Sequence, residues 1–442
     1  MHYSKYNIAI LGFGVEGQDS ARYFLGQNSK RITVFDKRPE GEVVSGEWND
    51  RGVEFVCGEN YLAKGLKSYD YIVRSPGVYR YLPEIMEAEI RGTKITSNTI
   101  LFFEESEANI IGITGTKGKG TTAQMLKLGL EASGKKVLLL GNIGTPMLDR
   151  IDDADTFDWV ILELSSFQLI DLPYSPPIAV VTNIKTDHLN WHKDREEYVR
   201  AKANLWIHQK PTDTVVFNRN DETSVELAKS APGQVMWFSR GETSAVRAHS
   251  VDAQKLKVPG EHNAENALAA LQAGIAAGDD IDKMWDGICK YEGAEHRLEF
   301  VAEIKGVKYI NDSAATTPES AIAALTTFKE PKILIVGGSF KGVRFNEFAK
   351  KVLENNVKTV FVIGESGSEI KTELKKAGFK GEIVNDVENM ENLISQANDK
   401  ANSGDVVLLS PACASFGLFK NYQDRGNAFK EAVRRLKSAN TA

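Results

Sequence analysis

The sequence predicts an α/β protein of three domains, and three observations predict it. Short β-branched apolar runs alternate with helix-compatible stretches, the signature of parallel βαβ units. The pattern starts afresh twice, near Asn98 and near Gly293. The 442 residues also exceed what one hydrophobic core absorbs, domains of about 150 residues being ordinary. The expected divisions are 1–98, 99–293 and 294–442.

In the first domain, runs at Ile8–Leu11, Ile32–Phe35 and Tyr71–Val73 surround a helical stretch, Gly17–Leu25. Gly12-Phe-Gly14-Val15-Glu16-Gly17 joins the first run to that helix, and Asp36 ends the second run. A glycine turn lets backbone approach a phosphate at a helix N-terminus, and an acid ending the next strand suits a ribose. The residues by themselves leave open NAD, another nucleotide, or a plain tight turn.

In the second domain, runs at Asn109–Thr114, Val137–Leu140, Trp159–Leu162 and Ala179–Thr182 each end in residues able to bind something. Between the first run and the helical stretch Ala123–Leu130 lies Gly112-Ile-Thr-Gly115-Thr116-Lys117-Gly118-Lys119-Gly120-Thr121-Thr122. Backbone N–H groups of such a loop converge on phosphate oxygens, so this reads as a P-loop-type phosphate site. Its paired glycines are one residue further apart than in a Walker motif, and Gly120 stands where a hydroxyl would ligate magnesium; Thr121 or Thr122 is the substitute.

Glu163 and His188 follow the last two of these runs, at the carboxyl ends where ligands of open sheets collect. Glu163 is a hard oxygen donor suited to Mg²⁺. Asp194 and Glu197 form a capping pattern, and the helix they open is expected to set Tyr198, Lys202, Leu205 and Gln209 on one face. A lysine buried in such a stripe loses its proton easily and becomes a nucleophile toward CO₂. Spacing alone fits a snorkelling surface lysine equally well.

The third domain repeats the alternation at Lys308–Ile310, Lys332–Val336, Thr359–Ile363 and Val406–Leu409. The whole chain is 42% apolar and 26% charged with a net charge of −6, an ordinary soluble composition that argues against nucleic acid as partner. No apolar stretch suits a signal peptide or a membrane span. Cys57, Cys289 and Cys413 are odd in number and widely spaced, which fits neither a disulfide framework nor a zinc site and points to a reducing cytoplasm.

Together these residues resemble the Mur ligase family over essentially the whole chain, and its D-glutamate-adding branch above all. Gly115-Thr-Lys-Gly-Lys119-Gly-Thr121 is similar to the family's Gly-Thr-Asn-Gly-Lys-Ser/Thr-Thr loop. The resemblance implies that ATP lies on Gly115 to Thr122, with Lys119 and Arg297 on its phosphates, Asn263 and Asn266 on the adenine side and Asp312 at the ribose. It implies two Mg²⁺ ions held by Glu163, His188, Thr121 and a CO₂-derived carbamate on Lys202, so that Lys119, His188, Lys202 and Arg297 form the catalytic set.

The same resemblance reassigns the first domain, a Rossmann-like fold, to a UDP-linked substrate on Gly14, Val15, Glu16, Asp36, Lys37, Arg38 and Gly77, joined by Asn142, Ser165 and Gln168. The central domain becomes an ATPase, and the Rossmann-like third domain holds D-glutamate through Thr316, Lys341, Ser415 and Tyr422. Ala314 and Phe340 depart from the family's pattern there.

The implied reaction is ATP-dependent addition of D-glutamate to UDP-N-acetylmuramoyl-L-alanine through an acyl phosphate, in peptidoglycan precursor synthesis, by a monomer with no membrane partner. Three alternatives remain open at this point. A sister Mur or folylpolyglutamate-synthetase-like ligase shares the loop but not the Ser415 to Tyr422 stretch. An NAD-dependent oxidoreductase explains Gly12 to Gly17, and a non-catalytic nucleotide-binding module explains Gly120.

Overall fold

A computed structural model of the chain describes residues 3–44, 48, 51–63, 65–142, 145–239, 252–258, 260–339, 344–385, 389–415 and 417–441. Three sheets organise them. The first holds β1 (Asn7–Leu11), β2 (Arg31–Asp36), β3 (Val53–Cys57), β4 (Tyr71–Arg74) and β5 (Lys94–Thr96), all parallel, in the order β3-β2-β1-β4-β5. The chain winds outward from β1 to β3 and then crosses to β4, which leaves a crevice outside the carboxyl ends of β1 and β4.

The second sheet has β6 (Ile110–Thr114), β7 (Val137–Gly141), β8 (Trp159–Glu163), β9 (Ile178–Val181), β10 (Thr214–Asn218) and β11 (Gln234–Phe238) in the order β11-β10-β9-β6-β8-β7, again all parallel. All of β6 is buried, as a strand covered on both faces must be. Its neighbours are β8 and β9, so the segments leaving β6, β8 and β9 meet at one edge. Those segments carry the glycine-rich loop, Glu163 and His188.

The third sheet has β12 (Glu299–Ile304), β13 (Val307–Asn311), β14 (Lys332–Gly337), β15 (Val357–Ile363), β16 (Glu382–Val384) and β17 (Val406–Leu409) in the order β12-β13-β17-β14-β15-β16. Only β12 is antiparallel to its neighbour. Helices Pro318–Thr327, Asn346–Glu354 and Gly367–Ala377 cover one face; helices Met390–Lys400 and Tyr422–Thr441 cover the other.

Compactness divides the chain into two units, Met1–Leu256 with Glu261–Tyr291, and Lys257–Gly260 with Glu292–Ala442. The first two sheets share one unit. Among the described residues no helix is long and apolar enough to cross a membrane.

Every apolar run singled out in the sequence forms a strand. β3, β5, β10, β11, β12 and β16 lie outside those runs. The helix opened by Asp194 forms as expected, its carboxylate accepting the Glu197 N–H at 2.8 Å. It ends at Ala203, however, so Leu205 and Gln209 do not share its face. Gln209 is buried for another reason, its amide donating to the Pro176 and Thr214 carbonyls at 2.9 and 3.0 Å.

Candidate active site

The loop after β6 is shaped by glycine geometry. Gly118 has φ +86° and caps the helix Lys119–Ala132, and a side chain there would run into the Asn266 amide. That helix has no side-chain cap and no acid in its first turn, so its N-terminal N–H groups stay suited to an anion. Asn183 fixes the loop from β9: its carbonyl accepts the Thr116 N–H at 2.8 Å, and its side chain brackets Lys117 at 3.0 Å on both N–H and carbonyl. Lys119 Nζ donates to the Gly115 and Thr116 carbonyls at 3.1 and 3.3 Å. Gly120 and Thr121 are half-buried in the first helical turn, and Thr122 is buried against Asn266, 3.5 Å from its oxygen.

Lys202 joins this loop. It is 1% exposed, and its Nζ donates to the Gly115 carbonyl at 2.7 Å and lies 4.9 Å from the centre of the Tyr198 ring. Burial, then the nearby Lys119 charge, pushes its ammonium well below the ordinary lysine range, with Glu163 and Asp187 opposing. Glu163, the last residue of β8, is 2% exposed. The His188 imidazole is pushed below its ordinary value by burial first, with Lys202, Lys119 and Lys117 adding to the shift and Asp187 opposing it, and its backbone sits at φ +54°. A hard oxygen, an imidazole that gives up its proton more readily than usual and a deprotonatable amine are thus grouped around the phosphate loop. Lys117 is mostly exposed and reaches Asp187 at 3.5 Å.

At the first sheet's crevice, Gly14, Val15, Glu16, Asp36, Lys37, Arg38 and Gly77 all line one cavity of about 640 Å³. A side chain at Gly17 would meet the Gly12 carbonyl, so glycine there lets the helix start hard against the turn. Burial alone would raise the Asp36 carboxyl, but hydrogen bonds from Arg38 and from the Phe13 N–H, at 2.7 to 2.9 Å, hold it below its ordinary value. Glu16 goes the other way, burial pushing it up to about 7.

The cavity is tied to the second sheet. Ser165 and Gln168 close a capping box, and Gln168 Nε2 donates to Glu16 at 2.8 Å. The Asn142 N–H donates to the Glu163 carbonyl at 2.9 Å. A further chain was not singled out in the sequence. Tyr79, which lines the cavity, donates to Glu197 at 2.9 Å; Glu197 lies 3.4 Å from His192 Nδ1; and His192 Nε2 is 2.9 Å from Ser166 Oγ. All but Tyr79 are buried; in the sequence Glu197 stood out only as part of a helix cap, and only the proximity of His192 to Lys202 along the chain hinted at the rest.

In the second unit, Arg297 is exposed and lies near Asp312, whose carboxyl accepts from Ser410 Oγ at 2.7 Å and is pushed up to about 7 by burial. Thr316 is half-buried, Ser415 is buried, and the Tyr422 ring meets His296 edge-on at 6.0 Å. Lys341 and Phe340 lie outside the described residues. In the first unit, Asn263 and Asn266 lie on the helix Glu261–Ala276, with Asn266 buried beside Gly118.

Solved structures share the fold at low identity. The UDP-N-acetylmuramate-alanine ligase MurC of Thermotoga maritima is 19% identical with a TM-score of 0.58, covering 98% of this chain and 100% of that one. MurF of Acinetobacter baumannii is 17% identical with a TM-score of 0.57, over 94% and 88%. In sequence, the UDP-N-acetylmuramoylalanine-D-glutamate ligase of Acetivibrio thermocellus is 38% identical, covering 98% of this chain and 97% of its own. That of Symbiobacterium thermophilum is 37% identical over 97% and 98%. Family models match in chain order: a Mur ligase MurD-like N-terminal domain at 6–97, a Mur ligase middle domain at 113–274, and a Mur ligase glutamate ligase domain at 296–413. With a match of this length in every third of the sequence, the chain belongs to the Mur ligase family.

Proposed function

We propose that the chain is an ATP-dependent, ADP-forming amide ligase that adds D-glutamate to UDP-N-acetylmuramoyl-L-alanine in the synthesis of peptidoglycan precursors. Relatives 36 to 38% identical over nearly the whole chain bear this activity in their names, which favours it over a nicotinamide enzyme. The observation that carries the reading is the buried Lys202 amine on the Gly115 carbonyl, grouped with Lys119, Glu163 and His188.

A carboxylate is a poor electrophile, so amide formation in water begins with its activation. The substrate carboxylate attacks the γ-phosphorus of ATP, the bond to ADP breaks, and an acyl phosphate forms. Lys119 and the N–H groups of Gly115 to Thr122 spread the charge of the transferring group, with Arg297 assigned to the same phosphates, Asp312 to the ribose and Asn263 and Asn266 to the adenine. The D-glutamate amine then attacks the acyl carbon, and phosphate and a proton leave. We assign D-glutamate to Thr316, Lys341, Ser415 and Tyr422. The UDP-substrate goes to Gly14, Val15, Glu16, Asp36, Lys37, Arg38 and Gly77, with Asn142, Ser165 and Gln168.

The donor set fits magnesium, an ion that takes few protein ligands and keeps its remaining positions for water and phosphate. We assign two ions to Glu163, His188, Thr121 and Lys202; bound there, they would neutralise phosphate charge. An ammonium cannot ligate, but a neutral Lys202 amine can add to CO₂, forming one N–C bond and releasing one proton to give an anionic carbamate. We further infer three domains at 1–98, 99–293 and 294–442, the outer two Rossmann-like and the central one P-loop-type, acting as a monomer in the cytoplasm.

Incubation with UDP-N-acetylmuramoyl-L-alanine, ATP, Mg²⁺ and a panel of amino acids tests this through phosphate release. D-glutamate is expected to be preferred. Preference for another amino acid overturns the substrate, and absence of release with all of them overturns the reaction.

A further inference from the structure

Arg425 is fully buried on the helix Tyr422–Thr441. Its guanidinium donates to Ser313 Oγ and the Ser313 carbonyl, both at 2.9 Å, to the Cys413 carbonyl at 3.1 Å and to the Gly337 carbonyl at 3.5 Å. All four acceptors are uncharged. Among the described residues no carboxylate forms an ion pair with it, and a buried cation without a counter-ion is costly to keep. Burial holds its pKa down to about 10, and only the Cys413 thiol works against that. The buried acid of the same rim, Asp312, is engaged by Ser410 and by the Leu298 N–H at 3.2 Å.

The acceptors identify what this charge lies beneath. Gly337 ends β14, Ser313 follows β13 and Cys413 follows β17, which are adjoining strands. The same segments run on to Thr316 and Ser415, and the Tyr422 carbonyl accepts from Ser313 Oγ at 2.8 Å. The helix that carries Arg425 also begins at Tyr422, adding the positive end of its dipole.

We propose that Arg425 is a positioning residue that selects an amino acid with a second carboxylate, fixing three strand ends and supplying from below the positive charge that the ligand's extra negative charge completes. This rests on the ligase reading above and names a determinant of its amino-acid choice. Arg425 does not touch the amino acid; its field acts across the buried strand ends, where water screens it little.

The test compares kcat/KM for D-glutamate and D-glutamine, which differ in charge and hardly in shape, using the full chain. Arg425→Gln is expected to cut the preference for D-glutamate about tenfold or more through the amino acid's KM, leaving the KM of the UDP-substrate unchanged. Arg425→Lys, which keeps the charge, and Ser313→Ala, which removes one acceptor but not the charge, are expected to keep the preference within about threefold. An unchanged preference in folded Arg425→Gln, or a lost preference in Arg425→Lys or Ser313→Ala, overturns the proposal. Should Arg425→Gln fail to fold, the other two variants decide by the same criterion. Thermal shifts by the two amino acids read the charge effect without turnover. A wild type stabilised by D-glutamate alone but releasing no phosphate would therefore fail the ligase reading and leave the role of Arg425 standing.

Discussion

Lys202 is one hydrogen bond from the phosphate loop, and its contribution turns on whether it carries a proton or a carboxylate. Lys202→Ala is expected to lower activity by roughly two orders of magnitude or more while the helix, gaining a better helix former, stays folded. Formate or acetate in the vacated space should restore part of it by supplying the missing oxygens; wild-type turnover at limiting Mg²⁺ would refute the carbamate. Glu16 offers a pH test. A carboxyl whose folded pKa is raised from 4.5 to about 7 binds its proton more tightly when folded. Its contribution to stability is therefore full below about pH 4.5 and fades as the pH climbs through about 7. Glu16→Gln, which mimics the protonated form, should lose less Tm between pH 5 and 8 than the wild type, as calorimetry would measure. Such residues were legible where a linear pattern carries them, Glu163 and His188 at or after a strand end and Lys202 on a helix announced by its cap. His192 was not, nor was any role for Glu197 beyond the helix cap, because their partners Ser166 and Tyr79 are 26 and 118 residues away along the chain. Arg425 left one unused clue, its i+4 and i+8 spacing to the buried Phe429 and Val433.

The loop between β6 and its helix works as an element only because Gly118 turns into the left-handed region under Asn266. Gly118→Ala should strain that turn and displace Asn266, costing about 1–2 kcal/mol of stability and a larger share of activity. A variant with unchanged melting and unchanged KM for ATP would show that the turn tolerates a side chain. Strands were legible where both faces are covered, since β6, β14 and β17 read as unbroken apolar runs. β3 escaped because Glu54 interrupts a half-exposed edge, and β5 and β16 because Lys-Ile-Thr and Glu-Ile-Val hold only one and two large apolar residues. The cap at Asp194 gave the start of its helix, whereas the signs of its end, Arg200 and Lys202 in the last turn and Asn204 at the C-cap, went unused because the apolar stripe continues past them.

In the molecule as a whole, the first two sheets are joined by a buried ion pair. Arg74, at the end of β4, donates to Asp171 at 2.9 Å and to the Phe167 carbonyl at 2.9 Å, and Arg80 reaches the same Asp171 at 3.2 Å. Arg74→Ala should destabilise this unit by about 2–4 kcal/mol, since a largely buried carboxylate loses its main partner and keeps only Arg80. Two calorimetric transitions of which only one moves would bear this out; a uniform shift would not. Restarting strand patterns revealed that there were several sheets, but not that two of them share a unit, because such pairs lie about a hundred residues apart. The insertion of β17 between β13 and β14 bears on how the protein is made. The first two sheets are complete in sequence before residue 240, so they can assemble while the ribosome is still at work. The third lacks its middle strand until residue 409 has emerged, and until then β13 and β14 have no neighbour in common. A nascent chain stalled or truncated after Lys400 would thus expose two apolar strand edges at once, making the stretch of synthesis between β14 and β17 the interval in which this chain most needs a chaperone.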